Sequence, residues 1–309
     1  MPNTLGRNAL ALALLLASVS AHAQPDASSA NAGQRQGKLL LTGGVSSIEG
    51  AAGGGLTPWA VTGGYATDAG LGMTAHLTRV KTQDHSLTGY GVALGLGDRA
   101  ELSLAQQDFD TATTGTALGL PGLHLKQTIL GLKVRLVGDA VLDSDTLLPQ
   151  VAIGLQAKSL NAGGLLPTLQ ALGAKTHGVD LYFSATKLLL ARGVLLNGTL
   201  RMTRANQGGL LGFGGTAHGS YSVQPEVSVA WLLRKDLAVG AEYRFKPDNL
   251  NPSILGEGLR EDDWKDLFIA WAPNKNFSLT LAWVDLGSIV PAVNARRQSG
   301  AYLSAQFGF

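Results

Sequence analysis

The sequence contains no cysteine, and it is poor in charged and aromatic side chains. The absence of cysteine from the 309 residues excludes disulfide scaffolds, thiol catalysis and thiolate metal sites. Charged residues make up 15% of the chain, against roughly 25% in average soluble proteins. The 24 basic and 22 acidic residues nearly cancel, so no overall positive field attracts nucleic acid. We therefore expect no nucleic acid partner.

Long apolar runs are missing beyond the first residues of the chain. Residues 1–23 combine one arginine, an apolar run over Ala9–Val19 and a small-residue motif before Gln24, which are the parts of a secretory signal peptide. We predict that this peptide is cleaved and that the polar residues 24–37 form a flexible periplasmic tail. No later run of 18 apolar residues occurs, so the sequence predicts no transmembrane helix.

The chain is instead rich in glycine, with 41 residues, and from Lys38 onward apolar residues alternate with small or polar ones. This is the period of a strand whose two faces meet different environments. In residues 149–158, for example, Val151 and Ile153 fall on one face and Gln150 and Gln156 on the other. The pattern predicts about fourteen strands, with twelve to sixteen possible, over residues 38–48, 58–67, 70–80, 86–96, 99–108, 122–137, 147–160, 178–190, 193–205, 220–233, 237–246, 264–272, 276–286 and 298–309.

Short and long connections alternate between these strands, and the first long one, over residues 49–57, is expected to be an outside loop. The alternation predicts an all-β, antiparallel, up-and-down transmembrane β-barrel over residues 38–309. A soluble β-sandwich is the alternative, because period two alone does not identify the wet face. Many strands reach ten or more residues, the length that crosses a bilayer at a tilt. Aromatic residues fall near strand ends on the apolar face and predict two membrane-interface girdles, one of Trp231, Trp271 and Phe277 near short turns and one of Tyr243, Phe245 and Trp283 near long loops.

The last residues, SGAYLSAQFGF, place Phe309, Phe307 and Leu303 on one face of a strand. This ending resembles the insertion signal of bacterial outer-membrane barrels, which their insertion machinery recognises. Three further segments, GKLLLTGGVSSIEGAAGGGLTPWAVTGGYAT, KDLAVGAEYRFKPDNL and DDWKDLFIAWAPNKNFSLTLAWVDLG, resemble a proteobacterial domain-of-unknown-function family of predicted outer-membrane β-barrel envelope proteins. The resemblance implies a bacterial outer-membrane location, with lipids and lipopolysaccharide as neighbours, and it implies no activity or site residues.

The inward face of the predicted strands carries basic and acidic residues in nearly equal number. These residues predict a passive pore for small solutes with weak charge preference, and the pore-lining candidates are Lys133, Arg135, Lys158, Arg201, Glu226, Glu242 and Arg244. The loops over 161–177 and 206–219 are expected to narrow the outer mouth, and residues 165–175 to form a short helix or an ordered loop.

Two other functions remain open from the sequence. The first is a closed structural or interaction barrel whose charged residues pair across the lumen and whose loops bind surface partners or lipopolysaccharide. The second is an integral outer-membrane hydrolase built around one of the five dispersed histidines that remain after signal-peptide cleavage, His76, His85, His124, His177 and His218. No close histidine pair or catalytic motif occurs, so we expect no enzyme activity, no catalytic residue, no metal site and no cofactor.

Overall fold

The computed structural model describes residues 38–43, 45–66, 70–141, 147–254 and 256–309. The predicted signal peptide and N-terminal tail lie outside these residues. Within the described part of the chain, no helix is long and apolar enough to cross a membrane.

The described residues form twelve antiparallel strands that close into one barrel. Each strand pairs with its neighbours in sequence, and β12 pairs with β1 from Thr74↔Gly308 to Thr82↔Gly300, which leaves no open sheet edge. The strands are β1 (Leu71–Thr82), β2 (Ser86–Leu96), β3 (Ala100–Asp110), β4 (His124–Val137), β5 (Gln150–Asn161), β6 (His177–Leu189), β7 (Val194–Thr203), β8 (Ser222–Arg234), β9 (Leu237–Arg244), β10 (Trp264–Asn274), β11 (Phe277–Asp285) and β12 (Ser299–Gly308).

The alternating residues of each strand separate an apolar outer surface from the lumen. In β4, Leu130, Leu132 and Val134 are exposed on the outside, whereas Gln127 and Lys133 are buried inside. An apolar exterior around an interior that holds the charged side chains is the arrangement of a membrane-spanning barrel, because hydrocarbon can satisfy neither charges nor open backbone groups.

The connections differ in length at the two ends of the barrel. One end, called the turn end, carries residues 97–99, 138–141, 147–149, 190–193, 235–236 and 275–276. At the first of these turns Gly97 and Asp98 both adopt positive φ, which a tight turn requires and which these two residue types tolerate. The opposite end, called the loop end, carries residues 83–85, 111–123, 162–176, 204–221, 245–254, 256–263 and 286–298, with two short helices, α1 (Ala112–Ala117) and α2 (Leu166–Ala171).

The prediction of about fourteen strands is wrong at the N-terminal end of the fold. The twelve strands predicted from residue 70 onward all form, whereas the described parts of 38–48 and 58–67 form no barrel strand. Residues 49–57 are not an outside loop either. This stretch folds into the lumen, where residues 45–62 are buried on every side. Alternation of apolar and small residues predicts a barrel strand only where the two faces of the segment meet different environments. Residues 45–62 are buried on both faces, so the same pattern does not predict strands correctly there.

Candidate functional site: the plugged lumen

Residues 45–63, here called the plug, fill the centre of the barrel. Their backbone bonds run within the plug, as from Ser47 N to Ala51 O (2.8 Å) and from Ile48 N to Gly55 O (2.8 Å). Two isolated bridges, Ser46↔Ala52 and Gly53↔Pro58, also lie within it. Among the described residues the plug therefore adds no strand to the wall, and its remaining polar groups need partners from the lumen side chains.

Polar side chains on the inner face supply those partners. Gln306 Oε1 accepts the amide of Ser46 at 2.7 Å, and Gln107 Nε2 donates to the carbonyl of Ile48 at 2.9 Å. At the other end of the plug, Gln150 Nε2 donates to the carbonyl of Ala60 at 2.8 Å. The abundance of glutamine, threonine and serine on the inner face thus matches a lumen that holds a polypeptide backbone.

An ion-pair network around Glu49 joins the middle of the plug to three strands. The Glu49 carboxylate lies 2.6 Å from Lys158 Nζ, 2.9 Å from Arg244 Nη2 and 3.2 Å from Arg201 Nη2. Asp180 contacts Lys158 at 2.7 Å, and Glu226 contacts Arg201 at 2.6 Å. Each of the six side chains is nearly inaccessible to solvent. Three cations and three carboxylates therefore balance inside the barrel, as buried charges require.

Two further carboxylates hold the plug from the wall. Glu101 accepts the amides of Ala52 (3.2 Å) and Gly63 (2.7 Å), while Lys133 Nζ donates to the carbonyl of Ala52 at 2.8 Å and pairs with Glu101 at 3.3 Å. Opposite them, Glu242 accepts from Leu56 N and Thr57 Oγ1, both at 2.6 Å. The plug is thus bound at its start, middle and end by side chains of the barrel wall.

The structure places all seven pore-lining candidates on the inner side of the barrel, but it does not bring them into one group. Lys158, Arg201, Glu226 and Arg244 join the Glu49 network, while Lys133 and Glu242 bind the plug directly. Arg135 lies at the turn end, where it pairs with Asp98 and donates to the carbonyl of Gly138 at 2.9 Å. Asp98 also binds Lys38 at 2.8 Å, so this cluster fixes the chain as it enters the lumen.

The aromatic residues of the two predicted girdles point outward or lie half-buried at the barrel surface. Trp231, Trp271 and Phe277 lie toward the turn end, and Tyr243, Phe245 and Trp283 toward the loop end. The predicted insertion residues Leu303, Phe307 and Phe309 are exposed on the outer face at and beyond β12. Their recognition by insertion machinery stays a prediction.

At the loop end, Gln207 ties three loops together over the lumen. It adopts a left-handed backbone conformation (φ 46°, ψ 48°). Its amide donates to Glu261 Oε2 at 2.9 Å, its Nε2 donates to the carbonyl of Ile289 at 3.2 Å, and its Oε1 accepts from Lys246 Nζ at 2.6 Å. Burial raises the pKa of the Glu261 carboxyl to about 7, although Lys246 opposes the shift. Burial also lowers the pKa of Lys246.

The loops over 161–177 and 206–219 lie at this same end. Within 165–175 a short helix forms, α2; Leu169 in the helix and Leu165 and Leu172 at its two ends are buried. In the second loop Leu210, Leu211 and Phe213 are buried as well. These two loops cover part of the barrel end through apolar side chains.

The five histidines stay dispersed in the structure. His85 Nε2 lies 2.9 Å from Thr114 Oγ1, His177 Nδ1 lies 2.8 Å from Thr176 Oγ1, and His124 pairs with Asp108 on the outer face. His76 is buried in the lumen, and His218 is exposed on a loop. Within the described residues, no group of three or more histidine, aspartate or glutamate side chains could hold a metal ion.

Sequence reasoning missed the plug and with it Glu49. Residues 53–55 are three consecutive glycines and Pro58 follows, a combination that weakens a strand and removes a ladder donor. The second signal in the sequence is Glu49, the single acid before this glycine run. If its carboxylate is buried in a lumen of mixed charge, it must pair with cations. Neither signal identifies which strands supply those cations.

Solved structures that are similar to this chain include the KdgM porin (8% identity, TM-score 0.45, covering 76% of this chain and 99% of that chain) and the NanC porin (7%, 0.48, 76% and 98%). Outer membrane phospholipase A from Escherichia coli is also similar (12%, 0.41, 76% and 89%).

A search of the curated proteins finds no match. A family model does match, over residues 42–306, which takes in the plug, the strands β1 to β11 and most of β12. The chain therefore belongs to the family described as protein of unknown function (DUF3034).

Proposed function

We propose that the protein is an outer-membrane pore for small solutes that is closed at rest by its own plug. The passive pore expected from the sequence thereby becomes a gated one. A solute crosses when residues 45–63 shift or leave the lumen, and the charged residues of the inner face then line the path. The charge preference of this path would be weak, because Lys158, Arg201 and Arg244 face Asp180 and Glu226.

The observation that carries this proposal is how the plug is attached. It is bound through side chains and ion pairs, while the twelve strands complete their own hydrogen-bonded ladder without it. The plug can therefore move without opening the barrel wall.

A disulfide that locks the plug in place tests the proposal. The hydroxyls of Thr57 in the plug and Ser228 in β8 lie 2.6 Å apart, so Thr57→Cys with Ser228→Cys places two thiols within bonding range. The natural chain has no cysteine to compete. In planar bilayers we expect the wild type to be closed at low voltage and to open at high voltage. The oxidised variant should stay closed, and reduction should restore opening.

A second cysteine pair serves as the matched control. Thr78 in β1 and Ser304 in β12 have hydroxyls 2.8 Å apart, and both belong to the wall. The disulfide from Thr78→Cys with Ser304→Cys therefore leaves the plug free, and voltage-driven opening should persist. Openings that are the same in the oxidised plug-locked variant and the control would contradict gating by the plug.

The balanced ion-pair network favours a second candidate, a closed barrel whose loops bind surface partners or lipopolysaccharide. In that case the plug is permanent and serves stability. A wild-type protein that never conducts at any voltage, together with a reduced Thr57→Cys/Ser228→Cys variant that is equally silent, would support this second function. Barrel insertion machinery and outer-membrane lipids are expected partners under both proposals.

A further inference from the structure

A small apolar chamber lies between the plug and the loop end of the barrel. Its free volume is about 40 Å³. The plug contributes Ile48 and Leu56 to its floor, the wall contributes mainly apolar side chains such as Phe109 and Leu125, and the loops contribute Leu211 and Ile289 to its roof. The plug also contacts apolar wall residues nearer the turn end, where Val45 and Trp59 line a second small pocket with Leu195 and Phe268. The chamber differs from that pocket in that loop residues form part of its lining.

The chamber also contains a buried hydrogen-bond donor without an acceptor. Trp264 lines it, and its side chain is only 7% exposed. Its indole Nε1 has no hydrogen-bond partner among the described residues. The ring is held in place by Lys246 Nζ, 4.8 Å from its centroid, and by the Arg244 guanidinium at 5.4 Å. Buried donors are rarely left without an acceptor, so this N–H is suited to a ligand.

We infer that the chamber is a binding site for a small nonpolar molecule, up to the size of one aromatic ring, with the Trp264 N–H as its polar contact. Apolar cavities stay dry and take up nonpolar guests, and a cavity of about 150 Å³ is known to hold benzene or xenon. The chamber is smaller than that, so a ring requires the roof to yield. The roof consists of loop residues, whereas the wall strands are fixed by their ladder.

This inference deepens the proposed function by naming the class of solute. It rests on the proposed function only in taking the bound molecule to be a solute on its way through the pore. The binding itself requires no movement of the plug, so it can be measured in the oxidised Thr57→Cys/Ser228→Cys protein. A failure of binding and a failure of gating are therefore separate results.

Indole N–H resonances provide a readout that separates the chamber from the lipid. The chain has five tryptophans. Trp231, Trp271 and Trp283 face outward, and Trp59 donates to Ser228 Oγ within the lumen. In the plug-locked protein in lipid nanodiscs, labelled with ¹⁵N at tryptophan, we expect added toluene to shift the Trp264 signal saturably. The three outward signals should report only partitioning into lipid. A Trp264 signal that moves no more than these three would overturn the inference.

A cavity-filling substitution and its control locate the site. Ile289→Phe adds volume to the roof and should remove the saturable shift. Leu281→Phe makes a similar change at a lipid-facing position and should leave the shift intact. Toluene that binds both variants equally would show that the chamber is not the site.

The indole donor gives a second, independent readout. Anisole has nearly the shape of ethylbenzene but carries an acceptor oxygen in place of a CH₂ group, so we expect it to bind the wild type about 2- to 10-fold more tightly than ethylbenzene does. Trp264→Phe should abolish this preference while both compounds still bind, followed through the ¹³C-methyl signal of Ile48, which lines the chamber. Equal affinities of anisole and ethylbenzene in the wild type would contradict the assigned role of Trp264.

Discussion

Glu49 is the residue on which the position of the plug depends most directly. Glu49→Gln leaves Lys158, Arg201 and Arg244 buried with two carboxylates in place of three. Breaking a buried ion pair in this way costs about 3 kcal/mol. We expect hydrogen exchange of the plug amides to accelerate roughly 100-fold, since each 1.4 kcal/mol is a factor of ten. Mass spectrometry of peptides over residues 45–63 measures this change.

The matched control is the same chemical change at an outer-surface acid. Asp108→Asn removes a carboxylate that pairs with His124 and Lys126 on the exposed face of the barrel. Exposed ion pairs contribute about 0–1 kcal/mol, so the plug should exchange as it does in the wild type. Equal exchange in Glu49→Gln and Asp108→Asn would show that Glu49 does not anchor the plug.

Glu261 makes the loop end sensitive to pH. Burial raises its pKa from 4.5 to about 7, while Lys246 and Asp248 act on it in opposite directions. Between these two pH values the folded state keeps a proton that the unfolded state has lost. Stability is therefore fully present below pH 4.5 and declines as pH rises toward 7, by at most about 3 kcal/mol. We expect hydrogen exchange over residues 206–214 to speed up from pH 5 to pH 7.

Glu261→Gln is the test of this pH dependence, because the amide keeps the shape of the side chain and does not titrate. After correction for the intrinsic pH dependence of exchange, protection of residues 206–214 should become nearly constant from pH 5 to pH 7. An unchanged pH dependence in Glu261→Gln would assign the effect to another group at the loop end.

Individual residues differ in how well the sequence predicts their place. The inward position of Lys158 or Arg201 follows from alternation within one strand, because the apolar neighbours must face lipid. The position of Glu49 cannot be obtained in this way. The three cations around it are Lys158 in β5, Arg201 in β7 and Arg244 at the end of β9. Only the closed barrel brings these three strands around one carboxylate.

At the scale of the element, the plug owes its compact form to glycine. A Cβ at Gly53 would lie 2.3 Å from the Thr57 carbonyl oxygen and 2.8 Å from Pro58 Cα, both backbone atoms of the plug. Gly53→Ala should therefore destabilise the plug by about 1–3 kcal/mol, the usual cost of overpacking. Limited proteolysis, followed by identification of cuts within 45–63, should show a more accessible plug.

Gly198 in β7 provides the control for this substitution. A Cβ there meets nothing within 4 Å, so Gly198→Ala adds a methyl group without a clash. We expect unchanged proteolysis and the same or slightly greater stability. Cleavage within the plug that is no faster in Gly53→Ala than in Gly198→Ala would contradict the tight packing of the plug.

The elements also show what alternation can and cannot predict. From residue 70 onward each strand has lipid on one side and the lumen on the other, and the sequence pattern predicts all twelve to within a few residues. The N-terminal segment has the same alternation with smaller residues, but it meets the lumen on both sides. The predicted strand count was therefore too high by two, and residues 49–57, predicted as an outside loop, lie in the lumen instead.

At the scale of the whole molecule, the wall and its contents are separable. The wall has a closed hydrogen-bond ladder and an apolar exterior of its own. The plug has neither, and side chains of the wall bind its buried polar groups. If residues 38–66 were removed, the polar side chains of the inner face would bind water in place of the plug, because water can enter the emptied lumen. A twelve-stranded wall lies between eight-stranded barrels, which side chains fill, and sixteen-stranded porins, which contain a channel.

Deletion of residues 38–66 should therefore convert a closed barrel into an open one. We expect the variant to migrate as a folded, heat-modifiable band and to show steady conductance at low voltage, where the wild type is silent. Lysine and arginine at the inner face remain balanced by acids, so the open state should discriminate little between small cations and anions. Adding Arg201→Glu to the deletion should shift the reversal potential in a salt gradient toward cations, because it reverses one charge on the path. A folded deletion variant that stays closed would mean that residues other than the plug seal the lumen.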